Sequence, residues 1–371
     1  MRVLRELAFI ESDTMMDEEK KPHAIDLDEE KDEVVPFKYT ITTWGVDYPV
    51  DGLVKRMAKE DIFIPTFQRA YVWTYTQACR FMESLLLGLP VPGIFLSKER
   101  DTNKLLVIDG QQRLRTLQWF YQGVFKKHQR AFQLQGVQKE FEGLTYETLR
   151  PEDRRRLDDA LIRATIIRQD QPSEDDSSIY HIFERLNTGG TLLHPQEIRA
   201  CLYHGPFNEM LNELNKNHSW RKVYAGGGTR MRDQELILRF LALKFNERAY
   251  SRPMKEFLND YMGKNRKLNA DSKETLSCAF SRAIEAINGT IGEMAFRPKG
   301  SVNAAVFDSV MVGVSNRLDK GEIREKEKVR ERYDALLINP EFVQATTKST
   351  ADEENVKKRI ELATTAFADI S

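Results

Sequence analysis

The chain has 371 residues, with 56 Lys and Arg against 57 Asp and Glu, a formal net charge of −1. That length suits two domains of ordinary size, and the near-zero charge excludes a protein that coats nucleic acid or anionic lipid with an overall basic surface. The three cysteines, Cys79, Cys201 and Cys278, are far apart and odd in number, which excludes a disulfide framework and a CxxC zinc site and fits a reducing, cytoplasmic setting.

Charge is unevenly spread. Residues 1–34 hold 5 basic and 12 acidic side chains, net −7, so the rest of the chain carries +6. Residues 1–36 read as an acidic, disordered leader: runs such as Asp17-Glu18-Glu19 and Asp28-Glu29-Glu30 cannot bury enough apolar surface to offset ordering. A solubilising tail is the plainer account; a nucleic-acid mimic that shields a basic groove is the sharper one. The start of the chain has no uninterrupted apolar stretch of a targeting peptide, and the longest apolar run, Leu236–Phe245, is broken by Arg239 and Lys244. It is far below the roughly 20 residues of a membrane-spanning helix.

From Tyr39 to Phe125 the texture is α/β. Tyr39–Trp44 and Ile62–Pro65 read as strands and Tyr75–Leu87 as a helix stopped by Gly88-Leu89-Pro90. Gly93–Leu96 and Lys104–Ile108 read as a hairpin or adjacent strands around a turn-like hexapeptide. The next helix carries Leu114, Leu117, Phe120, Tyr121 and Val124 on one apolar face. Phe132–Asp159 reads as charged helix with loops, Leu161–Ile167 as strand and Ser177–Leu186 as helix. Beyond Pro195 the pattern is helical: Gln196–Asn217, Asp233–Asn246, Lys255–Met262, Ser272–Asn288, Asn303–Arg317, Glu322–Ile338 and Asp352–Phe367. No repeat period is present, so a helical bundle is expected.

Three clusters carry chemistry. Leu106–Leu114 is an apolar strand running through Asp109-Gly110 into a helix that begins Gln111-Gln112-Arg113. Such a junction aims free N–H groups and a positive dipole end outward, with Gly110 permitting close approach and Arg113 adding a forked cation. Alone, those five residues read slightly better as an Asp cap, a turn and surface polar side chains. The second cluster, Ile64–Trp73, repeats a Gln-Arg pair as Gln68-Arg69 beside Tyr71 and Trp73, and two such loops on one cleft suit a triphosphate. Tyr71 and Trp73 taken singly fit core or rim packing better than base stacking. In the third, Ile182–Leu192, Glu184, Arg185 and Asn187 complete the pocket, with Glu184 or Asp109 as metal ligand or base. Gly189-Gly190 is also an ordinary helix stop.

In this order and spacing, the clusters resemble the family defined by the Asp-Gly-Gln-Gln-Arg box. It includes the nucleotide-hydrolysing part of GmrSD-type modification-dependent restriction systems and of phosphorothioation-linked phage-defence effectors. The resemblance covers about residues 37–200 and implies an α+β fold: a ParB/sulfiredoxin-like mixed-sheet domain at 37–198, with a helical insertion near 126–160, followed by an all-α domain at 199–371. It implies NTP binding and hydrolysis, with Mg²⁺, in an anti-phage or restriction system, coupled to DNA sensing or to cleavage by a separate nuclease subunit. Asp109, Gln112 and Arg113 are the expected catalytic residues. Gln68, Arg69, Tyr71, Gly110, Gln111, Arg113, Arg185 and Asn187 are expected to bind nucleotide, and Asp109 with Glu184 to hold the metal.

The departures narrow this reading. Sulfiredoxins work through a cysteine in the loop aligned with Asp109–Arg113, and here that loop has glutamines and no thiol, so reductase chemistry is not expected. An HNH nuclease needs histidines, and none follows His218. No Walker A loop is present, and His181, His194, His204 and His218 stand in no HExxH or HxH frame. The loop Gly226–Arg232 reads as a connector or a phosphate-tracking segment. Two further readings stay open: a nucleotide-gated DNA-binding protein without hydrolysis, and a ParB-like nickase using Asp109 and Glu184. A homo-oligomer fits any of them.

Overall fold

A computed structural model of the protein describes residues 25–26, 40–64, 71–171, 177–186, 193–224 and 231–371. Inside the acidic leader, β1 (Ile25–Asp26) is a two-residue strand that pairs in parallel with Val302–Asn303. The α/β part follows as β2 (Thr40–Pro49), α1 (Val50–Ala58), β3 (Ile62–Phe63), α2 (Tyr75–Leu86), β4 (Ile94–Lys98) and β5 (Leu105–Asp109). It continues as α3 (Gln111–Tyr121), β6 (Val124–Phe125), β7 (Arg130–Ala131), α4 (Pro151–Asp159), β8 (Leu161–Gln171) and α5 (Ser177–Leu186). Next come α6 (Pro195–Leu202), α7 (Pro206–Leu214), α8 (His218–Tyr224), α9 (Arg232–Asn246), α10 (Met254–Asn265) and α11 (Lys273–Thr290). After β9 (Val302–Asn303), the chain ends in α12 (Ala304–Leu318), α13 (Lys326–Ile338), α14 (Pro340–Thr347) and α15 (Glu353–Phe367).

The fold is α+β, a mixed sheet followed by helices. Five strands stand in the order β2-β8-β4-β5-β3, with β2–β8 and β4–β5 antiparallel and β4–β8 and β3–β5 parallel. Register carries one apolar row across the sheet: Trp44 faces Ile166, Ile166 faces Leu96, and Leu96 faces Val107. That row joins Leu53 of α1, Met82 and Leu85 of α2 and Leu114, Leu117 and Phe120 of α3 in one core. The sheet is also covered on its other side. Ile167 is buried next to Ile166, and buried Gln169 accepts hydrogen bonds from the amide and hydroxyl of Ser178 on α5. Burial on both faces is why β5 reads as the continuous run Leu-Leu-Val-Ile rather than an alternation.

Several expected boundaries move. Helix α3 stops at Tyr121, where Gly123 takes φ 71°, so Val124 enters a short strand instead of extending the apolar face. Phe132–Arg150 is not helical. Phe132, Leu134, Phe141 and Leu149 are buried in a run of turns closed by paired backbone bonds, Leu134 N to Leu144 O and Gly143 N to Leu134 O, each 2.8 Å. The expected helix Gln196–Asn217 is two helices, parted at Gly205-Pro206, where proline starts α7. Helices α1, α8 and α14 have no counterpart in the sequence pattern.

Two compact units emerge. One gathers Glu30–Asn215 with Gly228–Cys278; the other gathers Met1–Glu29, Lys216–Gly227 and Ala279–Ser371. The first holds the sheet. In the second, Trp220, Phe280, Phe296 and Phe307 pack as an aromatic core, and α12 is joined to α15 by Arg359 and Asp308, both fully buried, at 3.2 Å. Among the described residues no helix is long and apolar enough to cross a membrane.

Candidate functional site

Strand β5 passes into α3 through Gly110, which takes φ 99° and forms the N-cap. A side chain there would place its Cβ 2.4 Å from Cγ2 of Ile94, so the close turn needs glycine on two counts. Glycine also has nothing to cap with. The first closed bond of the helix runs from Leu114 N to Gly110 O at 2.9 Å, and the amides before it have no intrahelical acceptor. Capping by Asp109, open to the sequence, does not occur. What results is an uncapped positive helix end at the tip of a buried strand, a geometry that accepts an anion.

Asp109 instead pairs with Arg113. Its Oδ2 accepts from Arg113 Nη2 at 2.8 Å, and the same nitrogen donates to the Gly93 carbonyl at 2.9 Å. Arg113 is 14% exposed and its Nε is buried without a partner, whereas Asp109 is 54% exposed. The guanidinium therefore lies behind the junction. It ties the start of β4 to the end of β5 and aims a half-solvated carboxylate across the helix end. Gly93 is wedged in turn: a Cβ there would stand 2.7 Å from the Arg163 carbonyl oxygen.

Gln112 looks the other way. Its Oε1 accepts from the backbone N–H of Val72 at 3.0 Å and of Trp73 at 3.3 Å, so it anchors the segment that enters α2. Gln111 Oε1 is buried with no partner. Tyr71 is 7% exposed. Its hydroxyl shares a 2.7 Å hydrogen bond with Thr116, its ring packs on Trp119 and Phe125, and burial pushes its phenol up to about 12. It supports α3 from the core and offers no face to a ligand.

The structure thus gathers Asp109, Gly110, Gln111, Gln112, Arg113 and Tyr71 around one helix start. Gln68, Arg69 and Asn187 lie outside the described residues, as does most of the Gly226–Arg232 loop. Arg185 is exposed on α5, and Glu184 belongs to a different ion-pair set, with Lys255 Nζ at 3.2 Å and His181 Nδ1 at 3.7 Å. No hydrogen bond or ion pair joins either residue to the box. Among the described residues no group of three or more His, Cys, Asp or Glu is placed to hold a metal ion. Asp109 and Glu184 each face a cation, Arg113 and Lys255 respectively.

Sequence spacing missed a buried polar network beyond α5. Fully buried Arg199 donates to Glu235 at 2.9 Å and to Asn259 at 2.8 Å. His194 caps α6 and lies 3.7 Å from Glu235, while His181 Nε2 lies 3.3 Å from Glu256. The Arg199 guanidinium, His194 and Arg239 outweigh the effect of burial and hold the Glu235 carboxyl below its usual range. Only the i,i+3 spacing of His181 and Glu184 hinted at this.

Residues 50–204 match the family model described as the GmrSD restriction endonuclease N-terminal domain. The matched segment runs from α1 through α6 and contains the whole junction. The likeness covers that segment, less than half of the chain. Among curated proteins, nothing matches this chain.

Proposed function

Starting from the likeness of residues 50–204 to the GmrSD restriction endonuclease N-terminal domain, we propose that the chain serves a restriction or anti-phage system and that its Asp109–Arg113 box binds and hydrolyses a nucleoside triphosphate. On this reading turnover controls DNA sensing, or cleavage by a separate nuclease partner. The observation that supports it is the uncapped start of α3 with an oriented carboxylate beside it. Phosphate oxygens are received by the amides of Gln111 and Gln112, where charge developing on the transferred group meets the helix dipole. Asp109, held by Arg113, accepts the proton of the attacking water. Gln112 keeps the Val72-Trp73 segment in place as a positioning residue. Mg²⁺ would arrive with the triphosphate and neutralise its oxygens, with Asp109 as the carboxylate the box can offer it.

Phosphate release from the purified chain is the test. Asp109→Asn is expected to cut release about 100-fold, the scale of losing a general base. Its melting temperature should stay close to wild type, because the pair it breaks is half exposed. A wild-type chain without turnover on any nucleotide, with or without DNA, overturns hydrolysis. One observation favours the second reading, a nucleotide-gated DNA binder: Arg113 and Gln112 both already hold backbone groups. Nucleotide-dependent retention of DNA with no phosphate release decides for it.

A further inference from the structure

Under the edge strand β3 lies a cavity of about 390 Å³ that shares no residue with the Asp109–Arg113 box. Its apolar wall includes Met57, Ile62, Phe63 and Trp119, and its cations are Arg115 of α3 and Lys126. Arg115 is partly buried, yet its Nε is shielded from solvent with no hydrogen-bond partner, and no described carboxylate pairs with it. The one acidic residue of the wall, Glu60, is 79% exposed and leans toward Lys104 at 4.0 Å. The contrast with the larger cavity beside β4 is direct, because there Arg100 donates to the Gln169 carbonyl, Arg266 to Glu99 and Lys267 to Asp101.

Shielding part of a guanidinium from water without a counter-charge is unfavourable, and no described residue supplies that charge. Two cations with one solvated acid suit a dianion better than a carboxylate. Arginine's fork matches phosphate oxygens, and the apolar wall calls for an organic body. The volume falls within the roughly 300–1,000 Å³ of small-molecule sites. We propose that this cavity is a second site, which takes a small phosphate monoester of about nucleotide size, with its phosphate on Arg115 and Lys126 and its body against Phe63 and Trp119.

Titration calorimetry and thermal shift with adenosine monophosphate, and with inorganic phosphate as the bodiless control, test this on the full chain. Wild type is expected to bind the monophosphate more tightly than inorganic phosphate. Arg115→Met is expected to weaken it at least 10-fold, Arg115→Lys to keep part of it, and Asp109→Asn to leave it unchanged. The ligand-free melting temperature of Arg115→Met should equal or exceed that of wild type, since an apolar side chain replaces an unpaired charge. The proposal is overturned if wild type does not bind. It is equally overturned if Arg115→Met binds as wild type, if its ligand-free melting temperature drops by several degrees, or if Asp109→Asn alone abolishes binding, which would place the ligand at the box.

Discussion

Gly110 is the residue on which the junction turns, because both its backbone and its missing side chain are used. Gly110→Ala must adopt a left-handed φ with a Cβ pressed against Ile94. The expected cost is about 1–3 kcal/mol together with loss of nucleotide binding, read by denaturation and calorimetry on one sample. Gln112→Ala frees two amides at 72 and 73 and is expected to cost about 1–2 kcal/mol and to loosen the entry to α2, visible as faster amide exchange at those two positions. Unchanged exchange would show that the segment holds without it. The strand-to-helix junction was legible in the sequence because an apolar strand, Leu105–Ile108, runs through Gly110 into the apolar periodicity of Leu114, Leu117 and Phe120. The roles within it were not, since Gly93, Val72 and Trp73 lie 20 to 40 residues from the box residues they bond and nothing local announces them. Tyr71 shows the same limit, an aromatic beside a polar motif that packs inward.

Among the elements, those with strong local periodicity stood where the pattern put them: α2, β4, β5, β8 and α5 differ from expectation by a few residues at most. The misplacements came from tertiary contacts. Phe132, Leu134 and Phe141 are buried by turns, which leave no period to read, and α1 has its apolar positions Val50, Leu53 and Met57 in only nine residues. The network beyond α5 gives this scale its prediction. Burial works against charge on His181, but hydrogen bonds to Glu184 and Glu256 outweigh it and raise its pKa despite nearby Lys255. A raised folded value means that His181 stabilises the fold fully below its unfolded value of about 6.5 and loses that contribution as pH rises through the folded value. Glu184 runs the other way. The His181 hydrogen bond and Lys255 hold it below the carboxylate range, so its contribution is present above about pH 4.5 and fades as pH falls through the lower folded value. Unfolding free energy followed against pH should therefore decline above pH 6.5, and His181→Gln should flatten that limb. A slope identical in the two proteins would remove His181 from the account.

For the whole molecule, the linear sequence conceals that residues 216–227 leave the sheet-bearing unit and that 228–278 return to it. Composition marks where strands give way to helices, but a chain that passes four times between units leaves no compositional trace. The acidic leader is more informative, since β1 lies within it and pairs with β9, while residues 1–34 carry −7 against +6 on the rest of the chain. Neutralising Asp28, Glu29, Glu30, Asp32 and Glu33 as Asn or Gln spares Ile25–Asp26 and moves the net charge from −1 to +4. If the leader is a solubilising tail, its effect on DNA is long-range and screened. Retention of DNA should then strengthen at about 20 mM salt, where the screening length exceeds roughly 20 Å, and return to the unmodified value by 0.15 M, where it is about 8 Å. A leader that occupies a DNA-binding groove acts at contact distance, where salt screens far less. Strengthening that persists at 0.15 M would therefore make the leader a competitor for the DNA surface and displace the tail reading.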